Sequence, residues 1–219
     1  MTKDQVRRQI LEVGIVPVIR ASSSQKAIAA AEAVLEGGIS VVEITMTVPR
    51  AKQAIAELSR NRRLIVGAGT VLNAEAARQC FDAGAHFLVS PGFDLETVKL
   101  AKSEGYLMMA GALTPTEVIA AWNAGSDFIK IFPCSAVGGA SYIRALKGPL
   151  PQIPMIPTGG VNLKTAADFL AAGSAAVGVG GELILSSALE SNNMSAITDL
   201  ARQYVAIIKE VQAKKLAPV

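Results

Sequence analysis

Two charged side chains sit inside runs that otherwise have no use for charge. Lys130 is the one polar residue at the centre of Asp127-Phe128-Ile129-Lys130-Ile131-Phe132-Pro133, and Glu43 interrupts Val41-Val42-Glu43-Ile44-Thr45. A strand that buries both faces reads as a near-continuous hydrophobic run. An ammonium taken out of water without a partner is costly, and the usual response is a lowered pKa and a neutral amine. A neutral lysine is a nucleophile, so the chemistry indicated is Schiff-base formation with a carbonyl compound. Strand alternation puts Glu43 on one face with Val41 and Thr45, and Lys130 on one face with Phe128 and Phe132. If both faces point into one interior, the amine and the carboxyl group meet. They would then be either a nucleophile with a proton-shuttling acid or a structural ion pair, whose breakage would cost about 3–5 kcal/mol.

The elements that must position these residues recur with a regular beat. Short apolar runs occupy residues 15–19, 41–44, 64–66, 87–89, 106–109, 128–132, 155–156 and 175–179, with Ala-rich helical spacing between them, as in 26–35, 50–58, 74–81 and 165–170. Strand followed by helix, repeated eight times, is the pattern of a parallel α/β fold. Glycines punctuate it at Gly37-Gly38, Gly84, Gly105, Gly125 and Gly173, each suited to a left-handed helix C-cap. Thr114-Pro115-Thr116-Glu117 reads as a capping box with proline at the first helical position. An extra helix is expected over 1–12 and a final one over 196–214, with one domain spanning 1–219. A doubly wound sheet would usually carry a Gly-x-Gly-x-x-Gly turn after its first strand, but that strand ends Ile19-Arg20-Ala21-Ser22. The expected architecture is therefore a (β/α)₈ TIM barrel.

Such barrels place their chemistry at the C-terminal strand ends. Arg20, Glu43, Lys130 and Glu182 are the main charged groups there, each from a different strand, accompanied by Thr70, Ser90-Pro91-Gly92, Gly111, Phe132 and Thr158. Gly159-Gly160 and Gly180-Gly181 follow the seventh and eighth strands, where backbone amides can approach a phosphate; a short helix starting near Glu182 would add its dipole.

Composition narrows the remaining classes. Apolar residues make up 51% of the 219, aromatics only 5%, and the net charge is +3 with no basic stripe, so nucleic acid is not an expected partner. A single histidine, His86, excludes clusters needing two, and it is expected to be structural. The two cysteines, Cys80 and Cys134, suit reduced thiols rather than a disulfide framework. No run approaches a membrane span, and a cytoplasmic protein is expected.

Five segments together, Val42-Glu43-Ile44-Thr45, Gly67-Ala68-Gly69-Thr70-Val71-Leu72, Val89-Ser90-Pro91-Gly92, Ile129-Lys130-Ile131-Phe132-Pro133 and Pro157-Thr158-Gly159-Gly160-Val161, resemble those of the 2-keto-3-deoxy-6-phosphogluconate and 4-hydroxy-2-oxoglutarate aldolases, in family order. The resemblance implies a class I aldolase that needs neither metal nor organic cofactor. In it Lys130 would form the iminium ion with a keto acid and Glu43 would serve as general acid and base. It further implies that Arg20 and Thr70 bind the pyruvate half, that Pro91, Phe132 and Thr158 shape the wall, and that Gly159 and Gly160 hold phosphate. A homotrimer acting on small keto acids and aldehydes is also implied.

Two departures qualify the match. Thr47 stands where part of the family has arginine, and Arg20 takes the alternative place for that role, while Arg50 is expected to begin a solvated helix. Glu182 stands where some members have a phosphate-binding serine. Charges 4 Å apart at an effective dielectric near 20 repel by roughly 4 kcal/mol, so Glu182 is expected to turn outward and cap its helix, leaving Gly159, Gly160 and Gly181 to the phosphate. The rival readings are a phosphate-ligand barrel isomerase or synthase and a non-catalytic binding barrel.

Overall fold

The computed structural model describes residues 1–216. Helix α1 (Lys3–Val13) precedes β1 (Ile15–Ile19), and the chain then runs α2 (Ser24–Glu36), β2 (Val41–Thr45), α3 (Ala51–Leu58), β3 (Ile65–Gly69), α4 (Ala74–Asp82), β4 (Phe87–Val89), α5 (Leu95–Ser103), β5 (Leu107–Ala112), α6 (Pro115–Ala124), β6 (Phe128–Ile131), α7 (Ala140–Lys147), β7 (Met155–Pro157), α8 (Ala166–Ala171), β8 (Val177–Val179), α9 (Ser186–Glu190) and α10 (Met194–Leu216). Each strand pairs in parallel with the next from β1 to β7, and β8 pairs with β1. A bridge between Thr158 and Gly178 closes the ring. This is the (β/α)₈ TIM barrel that the strand–helix rhythm predicts.

Period-two alternation divides the apolar residues into two cores. Outward-facing Ile19, Val42, Ile44, Val66, Leu88, Ile129 and Ile131 pack against the helices. Inward-facing Val16, Val41, Ile65, Phe87, Leu107, Phe128, Ile156 and Ala176 form a second cluster, closed from below by Val6 and Ile10 of α1. Helix α1 is therefore the plug of the barrel's N-terminal end. It is fixed by a Thr2–Gln5 capping box, by a left-handed Gly14 and by an ion pair of Lys3 with Asp127 at 2.8 Å.

The capping signals hold with one correction. Gly38, Gly84, Gly105, Gly125 and Gly173 all have positive φ, and Thr114, Pro115 and Glu117 form the expected box at the start of α6. Gly37 is right-handed at φ −74°. Its side-chain site is instead taken by the neighbouring helix: a Cβ there would lie 2.3 Å from the Cβ of Ala201 in α10. His86 is structural, as expected. Its Nδ1 accepts the Val66 N–H at 3.1 Å, and burial holds its pKa below the usual imidazole value.

Candidate active site

Lys130 and Glu43 do point into the same interior. The Nζ of Lys130 lies 3.6 Å from Oε1 of Glu43, and the two side chains are only 6% and 3% exposed. That Oε1 is buried and has no hydrogen-bond partner among the described residues. The pair is thus in Coulomb contact but not locked by a hydrogen bond, which leaves a carboxylate oxygen and an amine to meet a third group. The Phe132 ring lies beside them, its centroid 5.6 Å from Nζ.

Glycines inside the barrel make this arrangement sterically feasible. A Cβ on Gly69 would sit 1.9 Å from the Glu43 Oε1, so the carboxyl group occupies space that any other residue on β3 would fill. On β5, Gly111 is in register with Lys130, and a Cβ there would strike the Pro91 carbonyl carbon at 2.2 Å. Ser90 fixes that loop by donating to the Gly92 carbonyl at 2.7 Å and accepting the Gly111 N–H at 3.3 Å. Pro91 is thereby held beside the lysine-bearing strand. Ser90 and Gly111 stand among the strand-end residues, and Gly69 in one of the family segments, with no role that their types alone suggest. Alternate-position glycine on a buried strand is the signal that points to one.

The expected binding residues follow other strands at the same end of the barrel. Thr70 follows β3 at φ +60°, a left-handed conformation that is a genuine outlier for a β-branched residue and marks a constrained strand end. Thr158 is buried, with its Oγ1 in the space that a Cβ on Gly178 would need. The 158–178 bridge puts the left-handed turn Gly159-Gly160 and the Gly180-Gly181 turn at the same end of adjacent strands. Gly181 opens onto free space. Arg20 shares the inward parity of Val16 and Val18, but its exposed guanidinium crosses toward β8, 3.4 Å from where a Gly180 Cβ would be. It lines a cleft of about 280 Å³ with Ser22, Lys26, Thr47 and Ser186. Arg20 and Thr47 therefore face one space, as relocation of an arginine between those positions requires. Thr45 ties the two strands there, through Oγ1 to the Ile19 carbonyl at 3.1 Å and to the Thr47 hydroxyl at 2.7 Å. Arg50, by contrast, is exposed at the start of α3.

The family model described as KDPG and KHG aldolase matches residues 6–200. The chain belongs to this family. It is accordingly a carbon–carbon lyase, a class I aldolase. Among curated relatives of this aldolase, the Haemophilus influenzae 2-dehydro-3-deoxy-phosphogluconate aldolase is 34% identical, over 95% of this chain and 99% of that protein. The Escherichia coli KHG/KDPG aldolase is 35% identical, over 90% and 93%. A Legionella pneumophila KDPG aldolase, solved with pyruvate captured as a covalent carbinolamine, superposes with a TM-score of 0.84 at 30% identity, over 90% of this chain and 97% of that one.

One expectation for this aldolase needs correction. Glu182 does not cap a helix: residues 180–184 form a turn in which Leu183 and Ile184 donate to the Gly180 carbonyl, and α9 begins only at Ser186. The short helix and its dipole are thus displaced from the Gly180-Gly181 turn.

Proposed function

We propose that this aldolase cleaves 2-keto-3-deoxy-6-phosphogluconate to pyruvate and glyceraldehyde 3-phosphate, and 4-hydroxy-2-oxoglutarate to pyruvate and glyoxylate. The observation that carries this reading is the buried Lys130–Glu43 contact with an unbonded carboxylate oxygen. Lys130 Nζ attacks the C2 carbonyl, and the carbinolamine loses water to give an iminium ion. The C3–C4 electron pair then flows into the iminium to form an enamine, while the C4 hydroxyl proton passes to Glu43, directly or through water, and the aldehyde leaves. C3 regains a proton, and water returns to release pyruvate and the free amine.

Within this reading Arg20 holds the substrate carboxylate through paired N–H donors, with Thr70 beside it. Pro91, Phe132 and Thr158 form the wall against which C4 is presented. Gly159, Gly160 and Gly181 cradle the phosphate. No step uses a metal or organic cofactor.

Incubation with pyruvate followed by borohydride should add the reduced adduct to the peptide that holds Lys130; an unmodified peptide in a folded enzyme would overturn the assignment. Comparing cleavage of the two keto acids tests the substrate, and a strong preference for 4-hydroxy-2-oxoglutarate would remove phosphate from the glycine turns.

We also infer one catalytic domain over 1–219 that assembles as a homotrimer in the cytoplasm. The exposed apolar side chains of Leu72, Leu95, Ile119 and Val137 are suited to subunit contacts. The free thiols of Cys80 and Cys134 suit a reducing compartment. No helix among the described residues is long and apolar enough to cross a membrane. Sedimentation equilibrium at three times the chain mass is the expected result.

A further inference from the structure

The loop after β7 carries a hydroxyl that the mechanism does not use. Thr165 stands at the N-cap of α8, where a threonine ordinarily accepts a backbone N–H from the first helical turn, yet it makes no such bond. Its Oγ1 turns back instead to the carbonyl of Gly160, at 2.9 Å. The neighbours fix the direction of that bond. The same oxygen accepts the Asn162 N–H at 3.0 Å, so its one proton is left to donate, and the Asn162 carbonyl, at 3.5 Å, is the poorer acceptor. Asn162 in turn steadies the loop, its Oδ1 accepting the N–H groups of Lys164 at 2.9 Å and Thr165 at 3.1 Å.

What Thr165 holds is a peptide plane. The only cis peptide among the described residues precedes Pro133, so the Gly160–Val161 unit is trans, with its C=O and N–H pointing in opposite directions. Because the carbonyl is held toward the head of α8, the Val161 N–H is aimed away from it. Val161 is only 2% exposed, and its N–H donates to no described residue. Buried backbone donors are almost always paired, so this one awaits an acceptor that the chain itself does not supply. Gly160 lies at φ +76°, with the Ser135 Cβ 2.4 Å from the place of its own absent Cβ, so the loop after β6 also presses on the turn.

We propose that the Val161 N–H is a further donor to the substrate's phosphate and that Thr165 is the positioning residue that aims it. The inference rests on the reading of the Gly159-Gly160 turn as the phosphate site. Thr165 touches no reacting atom; it acts by stopping rotation of a glycine peptide that has little else to hold it. Without the hydroxyl that peptide can turn, and its N–H loses a fixed direction. A substrate that lacks phosphate has nothing to lose there.

The test uses the full chain in three forms: wild type, Thr165→Val, which keeps the shape and removes the hydroxyl, and Thr165→Ser, which keeps the hydroxyl. Rates are measured with 2-keto-3-deoxy-6-phosphogluconate and with its unphosphorylated counterpart, and inorganic phosphate is tried as an inhibitor of the second reaction. Thr165→Val is expected to lower kcat/KM roughly tenfold for the phosphorylated substrate, mainly through KM, and less than about twofold for the other, as for one weakened hydrogen bond to a charged group. The inhibition constant of phosphate should rise by a similar factor, and Thr165→Ser should stay within about twofold of wild type in every assay. Equal losses on both substrates from Thr165→Val would leave Thr165 a purely structural residue, and an unchanged preference would show that the hydroxyl aims nothing; either overturns the proposal. A second readout does not depend on how Thr165→Val folds. With the valines of the wild-type chain labelled with nitrogen-15, and the Val161 amide identified by its loss in Val161→Ile, the amide proton should move downfield as inorganic phosphate is added. A Val161 resonance that stays put while other amides respond would place the anion elsewhere and sink the inference even though phosphate binds. A wild-type enzyme with neither a preference for the phosphorylated substrate nor any response to phosphate would instead remove the phosphate reading, and the role of Val161 and Thr165 with it.

Discussion

At the floor of the barrel the inward residues are Val16, Val41, Ile65, Phe87, Leu107, Phe128, Ile156 and Ala176, sealed by Val6 and Ile10. One step of the alternation higher on the same strands, Val41 gives way to Glu43, Phe128 to Lys130 and Ile156 to Thr158. The floor gains stability from removing apolar area from water. At the mouth two charges are buried at 3.6 Å with incomplete hydrogen bonding, and glycines on β3 and β5 surrender packing so that Glu43 and Pro91 can occupy the space. The comparison shows how one scaffold separates its tasks. Close packing below holds strands in register so that a poorly satisfied pair can persist above.

That contrast can be broken most severely at Lys130. Replacing it with Met should reduce cleavage by at least about 10⁴-fold, as removal of a covalent nucleophile does, while circular dichroism shows a folded barrel. A variant retaining a tenth of wild-type activity would move the chemistry elsewhere. Glu43→Gln is next: a loss of about 10²–10⁴-fold in kcat is expected for a missing general acid and base, with pyruvate still trapped slowly by borohydride.

At the floor the signature should invert. Ile10→Ala should cost about 2–5 kcal/mol in denaturant unfolding through the cavity it leaves, with kcat little changed below the midpoint. A large kcat loss in the folded state would show that the plug positions the mouth directly. Gly69→Ala provides the complementary case, because its methyl would collide with the Glu43 carboxyl rather than with the floor. Activity should fall more than Tm does.

The smallest effect concerns the two thiols, whose side chains are buried in the outer core between strands and helices. Burial pushes Cys80 and Cys134 up to about 11 from 9.0. The unfolded chain then loses those protons between pH 9.0 and about 11 while the folded one retains them, so folding stability falls as pH rises through that window. Replacing both with alanine should flatten the alkaline decline seen in urea titrations, and an unchanged slope would assign it to other groups.

Much of this design was legible before any coordinates. The strand parity of Glu43 and Lys130 follows from a side-chain period of two, which no tertiary contact can alter without flipping a whole strand. The capping box at Thr114 and most of the glycine caps are local steric facts. Other features depended on partners distant in the chain. Gly37 has the sequence setting of a left-handed cap but lies right-handed against Ala201, and Glu182 has that of a helix cap although α9 begins only at Ser186. Thr165 has the setting of an ordinary N-cap, and nothing in its type tells that its hydroxyl turns back to Gly160.

The sequence by itself determined which residues share a strand face, the strand–helix order and which two charges needed an explanation, because these depend on alternation and on the cost of burying charge. Only the tertiary structure decided that the pair stands 3.6 Å apart with an oxygen unbonded, and that glycines from neighbouring strands make the room. Distance and direction between strands arise from closing the barrel, and closure brings together residues whose separation along the chain says nothing of their separation in space.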